Sequence, residues 1–295
     1  MHPAISVIAF TVFSGMGFGL LAFLGLGLPA PTGWAAFFHW GLGYGLAAGG
    51  LLASTFHLGN PQRFLRAFTQ WRSSWLSREA IASVAGLLTL APVALSDWLG
   101  LGWPRGLGVL GALLSIATIF TTSMIYAQLK SIPRWNMWTT PALFLTFALT
   151  GGAILAGQVM VALALSAMLA LVLLAAFFWG DGAFARRAQS LGSATGLGQQ
   201  GPLQGEVRVF EQAHTAPNYL MREMIHHIGR KHVLALRKIA MIFAAILPAL
   251  LLGILPPSLW SAALIAVLHC IGALAARWLF FAQAEHVVGL YYGER

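Results

Sequence analysis

Eight long runs of apolar residues divide this chain, and each is about the length that a helix needs to cross a bilayer. A hydrocarbon core of roughly 30 Å takes about 20 helical residues at about 1.5 Å each. Hydrophobic residues make up 58% of the 295 residues and charged residues only 8%, which soluble domains do not match. The sequence therefore predicts an all-α membrane protein, a bundle of eight transmembrane helices in one integral membrane domain spanning residues 1–295. The predicted spans are residues 5–27, 34–56, 80–99, 106–128, 138–157, 159–179, 236–255 and 258–283.

The positive charges are not spread evenly over the connections between these runs. All but two of the 17 Lys and Arg residues fall after the second, fourth and sixth runs or at the C-terminus; the exceptions are Arg105 and Arg277. Loops rich in Lys and Arg stay in the cytoplasm. The pattern therefore predicts a multi-pass protein with both termini cytoplasmic, and membrane lipid is a natural partner of its charges. Because topology accounts for most of the net charge of +9, no nucleic-acid partner is expected.

Several kinds of chemistry are excluded by residue types alone. The chain has a single cysteine, Cys270, whereas an iron–sulfur cluster needs about four thiolates and a disulfide needs two. We interpret Cys270, within the last apolar run, as a small buried thiol. No phosphate-binding glycine loop, Cys-x-x-Cys pair or catalytic triad pattern is present. The chain therefore does not describe a self-contained enzyme, and no iron–sulfur cluster, molybdenum or other metal site is predicted within it.

The connection between the second and third runs gathers polar groups at one predicted membrane depth. His57 lies where the second run ends, and Glu79 lies at the start of the third, with Ser77 as a candidate N-cap. Arg66, Trp75 and Arg78 lie between or beside them. A quinone site needs an apolar entrance, hydrogen-bond donors to two ring carbonyls, and a group that exchanges protons near neutral pH, which histidine and a neighbouring carboxylate supply. The alternative from residue types alone is an ordinary interfacial cluster, with Arg78 and Glu79 as an ion pair.

The sixth connection, residues 180–235, is too long for a simple turn. Its stretch 217–238 mixes apolar side chains with Arg, Lys and His, a pattern typical of a helix lying in the membrane interface. We interpret the whole connection as the docking surface for a soluble partner. A helix that only binds lipid is the alternative.

Two further histidines lie inside predicted spans, where ionisable residues are rare enough to suggest a function. His39 and His269 are therefore considered as ligands of a haem b. At about 1.5 Å per residue the two histidines would lie at different depths. Interhelical hydrogen bonds explain them better, and haem b is not expected.

The polar motifs resemble those of one family of membrane subunits. The run His57-Leu-Gly-Asn-Pro-Gln-Arg63, followed by Ser74-Trp-Leu-Ser-Arg78-Glu79, resembles the DmsC-type anchors of molybdopterin oxidoreductases such as dimethyl sulfoxide reductase. The resemblance extends along the chain. It implies that His57 and the acidic Glu79 bind quinone, ubiquinone or menaquinone, as a substrate. It also implies that Arg66, Trp75 or Arg78 helps to position the ring, and that the protein lies in the bacterial cytoplasmic (inner) membrane.

The sixth connection and the C-terminal stretch from Arg277 to His286 look most like the SoeC-type branch of that family. Anchors of this branch serve sulfite-oxidising complexes whose catalytic subunits face the cytoplasm, which agrees with the charge pattern. The resemblance implies a heterotrimer in which a molybdopterin catalytic subunit and an iron–sulfur electron-transfer subunit dock on the cytoplasmic side. His286 lies at the predicted depth of His57 and is a further candidate for the quinone site.

Three alternatives remain open from the sequence. A dimethyl sulfoxide reductase-type anchor would oxidise quinol instead of reducing quinone, and a passive anchor would hold its partners without a quinone site. A secondary transporter would belong to another class, but such proteins carry polar groups near the membrane midplane and broken helices. Here the polar groups collect at one interface, and we predict that the glycines at positions 15, 17, 19, 41, 43 and 45 serve close helix packing.

Overall fold

The computed structural model describes residues 4–57, 60–187, 190–197, 207–211 and 232–292, apart from the side chains of residues 56, 57, 61 and 64. Every regular element among them is helical, and eight helices account for most of the described chain. These helices are α1 (Ile5–Gly25), α2 (Gly33–Ala53), α3 (Trp75–Leu99), α4 (Gly106–Ala127), α5 (Thr139–Leu155), α6 (Val159–Asp181), α7 (Val233–Ile254) and α8 (Leu259–Ala282).

Each helix coincides broadly with one of the predicted apolar runs. Within the described residues, six helices are long and apolar enough to cross a membrane, namely α1, α3, α4, α6, α7 and α8. The helix α2 has 21 residues but is rich in glycine and carries polar aromatic side chains, and α5 has only 17 residues. The protein is therefore a multi-pass helical membrane protein with six clear candidate spans.

The most buried helix, α1, lies against α2, α4 and α5 at the centre of the bundle. A Cβ atom on Gly17 would overlap the backbone of Ala47 in α2, and one on Gly19 would overlap the Ala148 carbonyl in α5. Without these side chains the backbones approach closely, as small residues allow in membrane helices.

The glycine prediction is only partly correct. In α2, a Cβ on Gly43 would press on Leu21, which agrees with a packing role. Gly41 and Gly45 have nothing within 4 Å of an added Cβ, so the packing role predicted for these two positions is wrong, and Gly15 has ordinary contact distances. Glycine content alone does not reveal which face of a helix is packed.

A bulge in α7 is tied to α8 by a buried histidine. Residues Ile242–Ile246 form a π-helical turn, and Pro248 has no N–H to offer the Ala244 carbonyl four residues earlier. The His269 Nδ1 lies 2.8 Å from that carbonyl oxygen. The histidine of α8 therefore lies within hydrogen-bond distance of a carbonyl that the proline leaves without its usual partner.

One end of the bundle, here called the Arg-rich end, holds the connections α4–α5 and α6–α7 together with the C-terminal segment. Asp181 binds Arg134 at 2.7 Å and Arg237 at 2.8 Å. The Val287 N–H donates to the Ser131 carbonyl at 3.0 Å, which brings the segment after α8 to the same end.

At the opposite end of the bundle Arg105, which does not follow the charge pattern of the other connections, belongs to a smaller polar cluster. The Asp97 carboxylate accepts a hydrogen bond from Trp40 Nε1 at 3.1 Å and pairs with Arg105 at 3.0 Å. This cluster ties α2 to the turn between α3 and α4. The positive charge of Arg105 at this end therefore has a structural role.

We expect Gly17→Ala to lower the stability of the folded bundle by about 1–3 kcal/mol, because an added methyl group forces α1 and α2 apart. Gly41→Ala, in the same membrane environment, should be neutral or stabilising by up to about 1 kcal/mol. Thermal unfolding of the detergent-solubilised protein measures both. Equal losses in the two variants would contradict the packing described above.

Candidate functional site

A groove of about 740 Å³ opens between the end of α2, the connecting segment and the first half of α3. Apolar side chains such as Leu52, Leu76 and Val84 form much of its wall and are exposed at the bundle surface. Polar side chains from the connection lie along its mouth. Its volume falls within the range of small-molecule sites. The described residues that line it also include Ala48, Leu51, Ser54, Thr55, Asn60, Arg63, Arg66, Ala67, Phe68, Gln70, Ser74, Ser77, Glu79, Ala80 and Ser83.

Glu79 lines the groove from α3, and its carboxyl group contacts α4 inside the bundle. The residue is only 3% exposed, and its Oε1 lies 2.5 Å from Thr122 Oγ1 in α4. A buried carboxyl without a nearby cation needs hydrogen bonds, and α4 supplies this one. The position of Glu79 in the second turn of α3, facing α4, explains its burial.

The hydrogen bonds of Thr122 indicate whether the Glu79 carboxyl is protonated. The Thr122 hydroxyl also lies 2.8 Å from the Thr118 carbonyl, an acceptor only. A hydroxyl has one hydrogen and cannot donate fully to both partners. A protonated Glu79 satisfies the whole set, because it donates to Thr122 while Thr122 donates to Thr118. The geometry therefore suits a carboxyl that holds a proton and can release it.

Arg78, predicted to line the site, instead braces the connecting segment. Its guanidinium lies 4.3 Å from the Trp75 ring centre and donates to the carbonyls of Trp71 at 3.0 Å and Arg72 at 2.8 Å. Neither Arg78 nor Trp75 is among the described residues lining the groove. The alternative of an Arg78–Glu79 ion pair is wrong, since the two side chains use different partners.

The start of α3 differs from the prediction. The helix begins at Trp75, five residues before the predicted span, with Ser74 at the N-cap position and no side-chain capping bond. Ser77 is therefore not the N-cap; it lies within the helix and is only 2% exposed. The prediction followed the apolar run, whereas the helix starts in the polar residues before it.

Two arginines of the connection do reach the groove. Residues Pro61–Phe68 form a 3-10 helix that carries Arg63 and Arg66, and both line the groove with exposed side chains. Arg66 was predicted as a site residue, and Arg63 is an addition from the structure. Their guanidinium groups can donate hydrogen bonds to a carbonyl oxygen at the groove mouth.

Of the two histidines predicted for the site, the structure describes the side chain of His286 but not that of His57. His57 ends the short helix Ser54–His57 next to the groove, but its side chain lies outside the described residues. His286 follows α8, and its Nδ1 accepts a hydrogen bond from Val288 N–H at 3.0 Å. Partial burial lowers the pKa of His286. It is not among the described lining of the groove, so its role there stays a prediction.

The histidines considered for haem b make hydrogen-bond contacts within the bundle. Besides the Ala244 carbonyl, His269 has its Nε2 3.1 Å from the Phe147 carbonyl, and the residue is fully buried. His39 has its Nδ1 2.8 Å from the Ala35 carbonyl, one turn away. A metal at His269 would have to displace one of two backbone contacts. Among the described residues, no group of three or more metal-binding side chains is gathered.

The sequence reasoning missed the residues behind Glu79. Thr122 carried no signal, because hydroxyl residues are common in membrane helices. Arg277 carried one: it is an arginine inside a predicted span, and such residues are rarely without function. In the structure it is 3% exposed and lies 3.5 Å from the Phe144 ring centre, as measured from Cζ.

The predicted docking connection is described only in part. Residues 183–186 and 191–195 form short helical turns, and Tyr291 near the C-terminus donates to the Ala194 carbonyl at 2.9 Å. Residues 212–231, most of the predicted interfacial helix, lie outside the described residues. The docking role of this connection stays a prediction.

Comparison with known proteins identifies the family to which the chain belongs. Residues 1–283 match the family described as DMSO reductase anchor subunit (DmsC). The chain is 30% identical over 332 aligned positions to a subunit of the sulfite dehydrogenase of Allochromatium vinosum, and the match covers 99% of each chain. No solved structure matches the chain. The resemblance drawn from the sequence motifs is confirmed.

We expect Arg78→Ala to loosen the segment that precedes α3, because two carbonyls lose a charged donor and Trp75 loses its stacked guanidinium. Limited trypsin digestion of membranes, followed by mass spectrometry, should show faster cleavage after Arg72. Arg66→Ala is the matched control, since Arg66 is exposed in the same connection. Cleavage after Arg72 at the same rate in both variants would count against the bracing role.

Proposed function

The chain belongs to the family of DMSO reductase anchor subunits (DmsC), and from this premise we propose that it is the quinone-binding membrane anchor of a molybdopterin and iron–sulfur oxidoreductase. We propose further that its complex oxidises sulfite in the cytoplasm and passes the electrons to the quinone pool. The relative from Allochromatium vinosum, named as part of a sulfite dehydrogenase, supports sulfite as the substrate of the complex. The chain itself supplies the anchor and the quinone site.

The observation that carries the quinone proposal is the groove with Glu79 at its inner wall. A quinone diffuses in the lipid, so its site needs an apolar side entrance at the membrane surface. Leu52, Leu76 and Val84 supply this entrance. The site also needs a proton donor that water does not reach freely, and the nearly buried Glu79 meets that need.

The two half-reactions of the proposed complex, sulfite oxidation and quinone reduction, exchange equal numbers of electrons and protons. Oxidation of one sulfite to sulfate consumes one water and releases two electrons and two protons, and reduction of one quinone to quinol takes up the same numbers. The catalytic subunit would carry out the first half, and the iron–sulfur subunit would carry the electrons to the membrane. This chain would position the quinone ring and supply protons to its oxygens.

Each polar group of the groove then has a specific task. Glu79 would give its proton to one ring oxygen, and Arg66 at the mouth would donate a hydrogen bond to the other. His57, which ends the short helix beside the groove, is the candidate for the second proton. Trp75 and Arg78 would act indirectly, by holding the segment that carries Arg66. His286 would contact the quinone only if the ring reached the C-terminal segment.

The topology proposed here has eight spans with both termini in the cytoplasm of a bacterial inner membrane. In this arrangement the Arg-rich end and the groove both face the cytoplasm, because α3 begins beside the end of α4. The iron–sulfur subunit would dock at that end, on the connections after α2, α4 and α6. The positive-inside rule supports this orientation.

We expect Glu79→Gln to lower sulfite-to-quinone turnover of the purified complex by roughly 100-fold or more, because the amide cannot give up a proton at neutral pH. Sulfite oxidation with a soluble artificial acceptor should stay unchanged, since it bypasses the membrane site. The partner subunits should still co-purify.

Gln62→Ala is the matched control, because Gln62 is exposed on the same 3-10 helix and is not among the residues lining the groove. Full quinone turnover in Glu79→Gln and in His57→Ala would indicate a passive anchor. Turnover only in the direction from quinol to dimethyl sulfoxide would indicate the other branch of the family. Substrate uptake by vesicles holding the chain without partners would indicate a transporter.

A further inference from the structure

The interior of the bundle holds polar groups that the groove does not use. Arg277, Thr122 and His269 come from two helices and converge between α1, α4, α5 and α8. Burying an arginine among apolar helices is costly, and such residues are usually kept for a function. Among the described residues, no carboxylate is paired with Arg277. Its Cζ lies 3.5 Å from the ring centre of Phe144 and 5.4 Å from that of Phe147.

An internal cavity of about 20 Å³ lies beside these groups. Thr122, Arg277 and His269 line it, together with the hydroxyl residues Thr11 and Ser14 of α1. A cavity of roughly 10–15 Å³ holds one water if it offers two to four polar partners. This cavity exceeds that volume and has several polar side chains in its lining, so it can hold one water.

A second cavity of about 40 Å³ lies nearer the Arg-rich end. Arg277 and Phe147 line both cavities, so the two cavities are neighbours. Arg134 and Gln283 line the outer part of the second cavity. Arg134 pairs there with Asp181, whose side chain is 51% exposed. Polar groups therefore extend in sequence from the bundle surface to Thr122, which binds Glu79.

We propose that these two cavities form a proton path from the cytoplasmic surface to Glu79. The inference rests on the proposed quinone site, because the path has a use only if Glu79 gives up a proton. A quinone in the groove would cover the open side of Glu79 and cut it off from water there. On its other side the Glu79 carboxyl contacts Thr122, which lines the first internal cavity. A bound ring would not cover this side, so a proton could still reach Glu79 from it.

The proton transfer is balanced at each atom. When the bound ring has received electrons, the O–H bond of Glu79 breaks and a new O–H bond forms on a ring oxygen, leaving a carboxylate. The Thr122 hydroxyl then gives its hydrogen to Glu79 Oε1 and takes one from water in the first cavity. A proton from the cytoplasm then passes through the second cavity and replaces the one that the water gave up. Each turnover therefore moves one proton along the path.

Arg277 lines both cavities of this path. A fixed cation repels a free proton, so the charge of Arg277 opposes the entry of protons while Glu79 is neutral.

The test blocks the path far from the groove. Ala276→Leu puts an apolar side chain into the second cavity, which Ala276 lines. We expect sulfite-to-quinone turnover of the assembled complex to fall about tenfold and its solvent deuterium isotope effect to rise, since proton supply becomes limiting. Sulfite oxidation with a soluble acceptor should not change. Ala275→Leu, one residue away and lining neither cavity, is the matched control and should leave all three readouts unchanged.

A second pair of variants tests the inner end of the path. Thr122→Val removes the relaying hydroxyl at nearly constant volume, and Thr122→Ser restores it. We expect slow turnover with a raised isotope effect in Thr122→Val and recovery of both in Thr122→Ser. If Glu79→Gln abolishes quinone turnover but Ala276→Leu and Thr122→Val do not, the path is wrong and the quinone site stands. If Glu79→Gln also keeps full turnover, the proposed function itself fails.

Discussion

The close approach of α1 to its neighbours is the constraint on which the rest of the bundle depends. At Gly17 and Gly19 there is no room for a Cβ atom beside α2 and α5. In lipid there is no hydrophobic drive to bring helices together, so contact between backbones has to supply the attraction. With α1 at the centre, residues of α4 and α8 line one internal cavity. Thr122 on α4 and Arg277 on α8 are among them.

Several buried polar groups are matched to a partner on another element. An unsatisfied polar group inside a membrane protein costs several kcal/mol. His269 lies within hydrogen-bond distance of the Ala244 carbonyl, and Asp97 is satisfied by Trp40 and Arg105. Glu79 is matched by a hydroxyl instead of a cation. A carboxyl in that setting can change its proton without breaking an ion pair, which suits a group that exchanges protons with a quinone.

The sequence predicted the helical class, the membrane location and the family, because each depends on composition and short motifs. Arg66 and Glu79 were predicted for the site and both line the groove. Trp75 and Arg78 were predicted too, but they brace the segment before α3. Residue type and membrane depth cannot separate these roles, since the direction of a side chain depends on where its helix begins. The helix begins at Trp75, earlier than hydropathy indicates.

The sequence by itself determined that this chain is a bundle of apolar helices with its positive charges at one side, because hydropathy and charge act through the bilayer and not through particular contacts. Only the tertiary structure decided which polar residues meet. Thr122 and Glu79 are 43 positions apart, and Arg277 lies on the last helix. The positions of these three side chains relative to one another depend on helix rotation and on backbone approach at a few glycines. No local pattern records those features, because they arise from the packing of all the helices together.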